Sequence, residues 1–101
     1  MRFEWDPAKG EVNRRKHRVS FEEATQLLAS DADYLEIYDE EHSDEEDRFI
    51  GVGRTSRGVL IVVYTELEGD ILRIVSARMA TKKERHRFEQ FEREQNEKRD
   101  S

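Results

Sequence analysis

Arginine and tyrosine side chains interrupt or end the apolar segments of this sequence. The segment "RIVSAR" carries Arg73 and Arg78, Arg48 and Arg54 flank "FIGVG", and Tyr64 ends "VLIVVY". A guanidinium binds phosphate oxygens through a planar fork and stays charged, whereas a tyrosine can stack on a base or donate to an oxygen. These residue types together favour phosphate chemistry. The other interpretation of Arg78 is a charge at the end of a strand, snorkelling or paired with an acid.

A second basic cluster is the segment "NRRKH", which contains Asn13, Lys16 and His17 at helical spacings of three and four. His17 can act as a general acid or base near neutral pH. As the alternative, His17 is a cation at the end of a helix, where it stabilises the helix dipole.

Other motifs carry weaker signals. His42 lies in the acidic segment "EEHSDEED", where a metal site is conceivable, but the segment lacks a recognised ligand spacing. "GVG" is too short for a dinucleotide fingerprint, and its glycines are expected to relieve crowding on a strand. The chain has no cysteine, which excludes a disulfide scaffold, a zinc ribbon and a thiol nucleophile and fits a reducing cytoplasm.

The elements that position these residues follow from caps and periodicity. Asp6 and Pro7 predict the start of a first helix, and Ser20 with Glu23 forms a capping box for a second. Thr81 and Glu84 form a capping box for a third helix, with Phe88 and Phe91 as its apolar contacts. A short strand is predicted at 2–5 and further strands at about 33–39, 48–54, 59–66 and 71–78.

This order predicts an α+β domain: a strand and two helices, then a four-stranded antiparallel meander and a C-terminal helix. The 101 residues suit a single domain. "VLIVVY" is apolar on both faces, which is typical of a central strand. Alternation places Arg73 and Arg78 on opposite faces. The register of the strands could also bring together residues of different strands. One face of the sheet would then show Arg48 or Arg54 with Tyr64 and Arg78.

Charge is distributed very unevenly around the net value of −6. Residues 19–47 hold twelve acids and no lysine or arginine, while residues 1–18 and 48–101 are both net positive. Such asymmetry points to a partner surface or to a solvated acidic face that lies away from a basic groove. No signal peptide is visible, and the longest apolar run is too short to span a bilayer.

Five segments appear in the same order as in the BrnT family of bacterial type II toxin–antitoxin systems. They are "FEWDPAK", "NRRKHRVSFEEA", "HSDEEDRF", "GRTSRGVLIVVYT" and "RIVSARMATKKE". The chain resembles that family over about residues 3–90. The resemblance implies a cytoplasmic endoribonuclease with a RelE-like fold over residues 1–91. From Glu92 onward the sequence is polar, which predicts a frayed tail at 92–101. Such a toxin slows translation and forms a hetero-oligomer with a BrnA-like, DNA-binding antitoxin.

The resemblance also implies RNA cleavage without a metal or other cofactor, by attack of the RNA 2′-hydroxyl on the adjacent phosphate. We then expect Arg54 and Arg78 to clamp the phosphate and Tyr64 to stack or donate. Lys16 and His17 would transfer a proton or hold the RNA backbone. Further RNA contacts are expected from Arg14, Arg48, Arg73 and Lys82. The alternative is a catalytically weak interaction module that mainly binds an antitoxin and co-regulates transcription.

Overall fold

The computed structural model describes residues 1–30, 34–44 and 46–100. Its strands are β1 (Arg2–Glu4), β2 (Leu35–Tyr38), β3 (Arg48–Thr55), β4 (Gly58–Leu67) and β5 (Ile71–Met79). Its α-helices are α1 (Pro7–His17), α2 (Phe21–Ala29) and α3 (Lys82–Asp100), and a short 3₁₀ helix spans Glu40–His42. Position 33 of the predicted strand at about 33–39 lies outside the described residues.

The strands form one five-stranded sheet in the order β1-β5-β4-β3-β2. The predicted α+β class and the antiparallel meander are confirmed, and β4 is the central strand, as its apolar sequence indicates. The sheet is nevertheless mixed rather than antiparallel throughout, because β1 pairs with β5 in parallel.

Local sequence signals fix where the helices begin. The side chain of Asp6 accepts from the backbone N–H of Ala8 at 2.9 Å, and Pro7 occupies the first turn. Ser20 and Glu23 form the predicted reciprocal capping box at 3.1 and 3.4 Å. All three predicted helix starts are confirmed, since Thr81 and Glu84 form the same arrangement before α3 at 3.2 and 2.9 Å.

Helices α1 and α2 cover one side of the sheet, called here the α1/α2 face. The side chains of Leu27 and Leu28 pack there on the central strands. A Cβ atom on Gly53 would collide with the Leu27 side chain unless that side chain moved, and it would lie 3.0 Å from Cβ of Tyr34. Glycine at this position therefore relieves crowding on the strand, as predicted. The main buried residues of this face are Val19, Phe21, Ala24, Leu27, Leu28, Leu60, Val62, Tyr64, Leu72, Ile74 and Ala77.

Asn13 fastens α1 to the sheet edge. Its amide donates to the carbonyls of Val19 at 2.9 Å and Ala77 at 2.8 Å, and its oxygen accepts from the Ala77 N–H at 3.2 Å. A buried side chain thereby satisfies backbone groups that would otherwise be unpaired at the edge of β5. This contact determines where Lys16 and His17, on the same helix, lie relative to β5.

The opposite side of the sheet, called here the α3 face, has a second and smaller core. Phe88 of α3 is buried against Val52, Val59 and Ile61, with Phe91 packed beside them. By register, these strand residues lie at the end of the sheet near the β3–β4 turn. The predicted frayed tail at 92–101 is helical as far as Asp100.

A β-bulge in β5 changes which arginines share a face. Val63 pairs with Ser76, but the next residue, Tyr64, pairs with Ile74, so Val75 is an extra residue in β5. The extra residue reverses the alternation, and Arg73 and Arg78 therefore both lie on the α3 face. The prediction that they point to opposite faces is wrong for this reason.

Candidate functional site

Arg48, Thr65 and Arg73 lie side by side across β3, β4 and β5. Arg48 pairs with Thr65, and Thr65 pairs with Arg73. Residues directly opposite one another in antiparallel strands point to the same side, so all three side chains project from the α3 face. We call these three residues the Arg48 row. They lie at the end of the sheet that is farther from the Phe88 core.

A depression of about 380 Å³ opens beside this row. The Thr65 side chain is almost fully buried at 3% exposure, and its hydroxyl has no hydrogen-bond partner among the described residues. The buried Nε of Arg48 also has none within the described part of the chain. Because buried polar groups are normally satisfied, these two atoms mark a place where a polar ligand would gain hydrogen bonds. The depression is lined by His42, Asp44, Glu46, Arg48 and Thr65.

Arg73 is held at the other end of the row by carboxylates. Its Nε and Nη2 donate to Glu4 Oε1 at 2.9 and 2.7 Å, and its Nη1 lies 3.9 Å from Glu46 Oε1. Asp44 and Glu46 of the acidic segment therefore border the Arg48 row rather than lying away from it. The pairs are half-exposed, so they orient the guanidinium more than they stabilise the fold.

His42 lines this depression, and its ring contacts the carboxylate of Asp39. Its Nδ1 lies 2.9 Å from Oδ2 of Asp39, whose side chain is only 17% exposed. Ser43 ties the segment to β3, since its hydroxyl donates to the Asp39 carbonyl at 2.6 Å and accepts from the Arg48 N–H at 3.0 Å. From the sequence, His42 was a candidate metal ligand and not an acid–base group. Its position six residues before Arg48, in the same motif "HSDEEDRF", was the available signal.

Arg54 and Arg78 also project from the α3 face, but each is bonded to a carboxylate of α3. Arg54 donates to Glu92 at 3.0 and 2.6 Å, and Arg78 donates to Glu84 at 2.8 and 2.8 Å. The hydrogen bond from Arg78 lowers the pKa of Glu84 to about 2, and the bond from Arg54 lowers the pKa of Glu92. Both arginines therefore already have a planar anionic partner within the chain.

Tyr64 lies on the other side of the sheet from these arginines. It pairs with Phe49 in register, its ring stacks on that of Phe49 at 5.7 Å, and its hydroxyl donates to Glu36. Burial raises the pKa of Tyr64, and the Glu36 carboxylate raises it further. The prediction that Tyr64 shares a face with Arg54 and Arg78 is wrong, because β4 pairs with β3 in a register that puts Tyr64 in the α1/α2 core.

The remaining predicted residues occupy the helices. Lys16 and His17 line a depression of about 370 Å³ at the edge of β5, together with Val75 and Ser76. Arg14 is exposed and donates to Glu11 at 2.6 and 3.2 Å, a bond that lowers the pKa of Glu11. Lys82 lies in an open groove on the surface of α3, beside Lys83, His86, Arg87 and Arg93.

Two further properties of the described residues bear on the chemistry. No group of three or more His, Asp or Glu side chains in the described ranges is arranged to hold a metal ion. None of the described helices is both long and apolar enough to cross a membrane.

Comparisons with known proteins agree with this architecture. No curated protein sequence matches the chain. A crystal structure of the Brucella abortus ribonuclease toxin BrnT matches with a TM-score of 0.60 and 20% identity, covering 81% of this chain and 99% of that one. At this identity the structural match supports a shared fold. The family model described as "Ribonuclease toxin, BrnT, of type II toxin-antitoxin system" matches residues 5–84. The match spans most of the chain, which therefore belongs to the BrnT family of ribonuclease toxins.

Proposed function

We propose that this protein is an endoribonuclease toxin that cleaves RNA without a metal ion, through attack of the 2′-hydroxyl on the adjacent phosphate. The observation that carries the proposal is the Arg48 row, where two guanidiniums flank a buried hydroxyl beside a depression. Family membership supports ribonuclease activity, and the Arg48 row is the site that we propose for it.

The geometry of the row suits a phosphodiester. Neighbouring strands lie about 4.8 Å apart, so the Cα atoms of Arg48 and Arg73 are about 10 Å apart, close enough for their side chains to meet one phosphate. Guanidiniums on either side of a phosphate stabilise charge that builds on its non-bridging oxygens during attack. The Thr65 hydroxyl between them supplies one further hydrogen bond.

The contacts of Arg54 and Arg78 favour a structural role over the predicted role as phosphate clamps. RNA would have to displace Glu92 or Glu84 before either guanidinium could bind a phosphate. Arg73 is also bonded to a carboxylate, that of Glu4, so the row depends first on Arg48, which has no carboxylate bond among the described residues. Lys16 and His17 lie at the edge of β5 next to Ser76, which projects from the α3 face between Arg73 and Arg78. We therefore assign Lys16 and His17, with Arg14 and Lys82 farther out, to contacts with the RNA backbone.

Membership of the family also suggests a partner and a cellular location for this protein. A type II toxin implies an antitoxin, and we propose a BrnA-like protein with a DNA-binding half that forms a hetero-oligomer with the toxin in the cytoplasm. The edge strand β2 suits this contact, since Ile37 and Tyr38 are each 44% exposed there. A RelE-like relationship and inhibition of translation belong to the same proposal.

The test is RNA cleavage by the purified protein in the presence of a chelator. We expect products with 2′,3′-cyclic phosphate and 5′-hydroxyl ends, because the 2′-oxygen replaces the 5′-oxygen on phosphorus. Ends carrying a 5′-phosphate, or cleavage lost on chelation, would contradict the mechanism. RNA left intact at high protein excess, together with tight binding of the antitoxin, would support the interaction module instead.

A further inference from the structure

We propose that His42 and Glu46 are the proton-transfer residues of the Arg48 row, with His42 as general acid and Glu46 as general base. This inference rests on the proposed ribonuclease function and names the groups that carry out its chemistry. It replaces His17 in the predicted role of proton transfer.

The first argument is that the two proposed proton-transfer groups lie at the same depression as the Arg48 row. His42 and Glu46 line the same depression as Arg48 and Thr65, and Glu46 also faces Arg73 at 3.9 Å. A phosphate held at the Arg48 row would therefore have an imidazole and a carboxylate within the same small volume. General acid–base catalysis requires such groups within hydrogen-bond reach of the proton that moves.

The second argument is that a hydrogen bond holds the His42 ring in one orientation. With its proton on Nδ1, the His42 ring donates to the largely buried Asp39 carboxylate, which fixes the ring and leaves Nε2 for the substrate. Among the described residues, Nε2 of His42 has no hydrogen-bond partner. Asp39 is thus a positioning residue, because it acts only through His42.

Neither of the other two histidines has these contacts. The described residues offer no carboxylate hydrogen bond to His17, whose depression contains Lys16 and Val75 but no member of the Arg48 row. His86 lies in the exposed groove of α3. His42 alone among the three shares a depression with a guanidinium of the row.

The proposed step is balanced in bonds and protons. The Glu46 carboxylate accepts the proton of the 2′-hydroxyl as the 2′-oxygen forms its bond to phosphorus. The bond from phosphorus to the 5′-oxygen breaks, and Nε2–H of the His42 imidazolium gives its proton to that leaving oxygen. Arg48 and Arg73 remain charged throughout and stabilise the non-bridging oxygens.

The first experiment compares two histidine substitutions with the wild type on single-stranded RNA in chelator. We expect His42→Gln to lower the cleavage rate by about 100-fold or more, the usual range for loss of a general acid. The matched variant His86→Gln should cleave like the wild type. A thermal melt of each variant by circular dichroism checks that the fold is retained.

The second experiment assigns the direction of proton transfer. An oligonucleotide with a 5′-bridging sulfur in place of the 5′-oxygen has a leaving group that needs no proton. We expect His42→Gln to cleave this substrate at close to the wild-type rate, while Glu46→Gln stays slow on both substrates. Equal slowing of His42→Gln on both substrates would overturn its role as general acid.

The dependence of the cleavage rate on pH is the third experiment. The charged groups that face His42 are Asp39 on its own segment, Asp44, Glu46, Arg48 and, through Glu46, Arg73. We expect a bell-shaped profile whose alkaline limb disappears in His42→Gln. An unchanged alkaline limb would contradict the inference.

The outcomes separate this inference from the proposed function. A wild-type protein that leaves RNA intact overturns both. A wild-type protein that cleaves in chelator, with His42→Gln indistinguishable from His86→Gln, overturns only the assignment of His42 and leaves the ribonuclease proposal standing.

Discussion

The two ends of the α3 face of the sheet differ in how their arginines are bonded. Near the β3–β4 turn, Arg54 and Arg78 are each bonded to a carboxylate of α3 beside the buried Phe88. At the far end, Arg48 has a buried Nε without a partner in the described residues and lies beside a depression. The arginines at the first end complete the attachment of a helix. At the second end Arg73 is bonded to Glu4, whereas Arg48 is available to a ligand.

This difference shows that an arginine on a strand does not by itself indicate a phosphate site. The guanidinium fork binds a carboxylate as readily as a phosphate, so what matters is whether the fold already supplies the anion. In this chain α3 supplies it for Arg54 and Arg78.

The largest expected effect is on catalysis at the Arg48 row. Arg48→Lys should lower the rate of RNA cleavage by about 100- to 1,000-fold, because an ammonium cannot replace the planar fork beside the developing charge. Arg54→Lys should lower it by less than about tenfold. Single-turnover cleavage rates at saturating protein measure both, and a greater loss in Arg54→Lys would reverse the comparison.

The next largest expected effect is on the stability of the end of the α3 face near the β3–β4 turn. Phe88→Ala should lower the free energy of unfolding by about 3–5 kcal/mol, because the ring is 1% exposed and packs on three strand residues. Phe91→Ala, at the partly exposed rim, should cost distinctly less. Urea unfolding measures both, and a small loss for Phe88→Ala would mean that α3 is not anchored to the sheet by this core.

A smaller effect concerns the acid stability of the same end. The pKa of Glu84 is lowered from 4.5 to about 2 by its bond to Arg78, so the folded state keeps the carboxylate ionised at lower pH than the unfolded chain does. Its contribution is complete above about pH 5 and is lost as the pH falls toward 2. We expect a loss of about 1 kcal/mol over that range, reduced by solvent screening because Arg78 is 39% exposed.

The control for this prediction is a pair of matched charge removals. Glu84→Gln should show a flatter decline of the urea midpoint between pH 5 and 3 than the wild type. Glu68→Gln, in the exposed β4–β5 turn, should follow the wild-type decline. Parallel curves for Glu84→Gln and the wild type would contradict the role of this ion pair.

The smallest effect is on the salt dependence of binding. Each phosphate contact to single-stranded RNA contributes about 0.7 to the slope of log K against log salt concentration. Arg48→Ala in a His42→Gln background, which slows cleavage, should lower that slope by about this amount, and Arg54→Ala in the same background should leave it unchanged. Fluorescence anisotropy at several salt concentrations measures the slope. Equal slopes for all three proteins would place the RNA elsewhere.

Local signals in the sequence predicted much of the fold. The cap at Asp6 and the capping boxes at Ser20 and Thr81 act within three residues, so they could be identified without any tertiary information. The same holds for the apolar strand that became β4 and for Phe88 and Phe91 as the contacts of α3. Parallel pairing of β1 could not be predicted in this way, because it joins residues about 70 positions apart.

The candidate site depended on the contacts that sequence determines least. Arg48 and Arg73 were named from the sequence as RNA contacts, and this role stays a prediction. Their grouping was not predictable, because one extra residue at Val75 reverses the faces of half a strand and the register of β3 against β4 decides the side on which Tyr64 lies. His42 was not identified as an acid–base group, because its segment lies beside the Arg48 row only in the folded chain.

The sequence alone therefore determined the helix starts, the central strand and the residue types suited to a phosphate. Those properties depend on neighbours within a few positions, where backbone geometry and side-chain chemistry act directly. Only the tertiary structure decided which arginines are bonded to a carboxylate, because carboxylates of α3 and β1 reach Arg54, Arg78 and Arg73 after the chain has folded. Among the described residues, no carboxylate is bonded to Arg48.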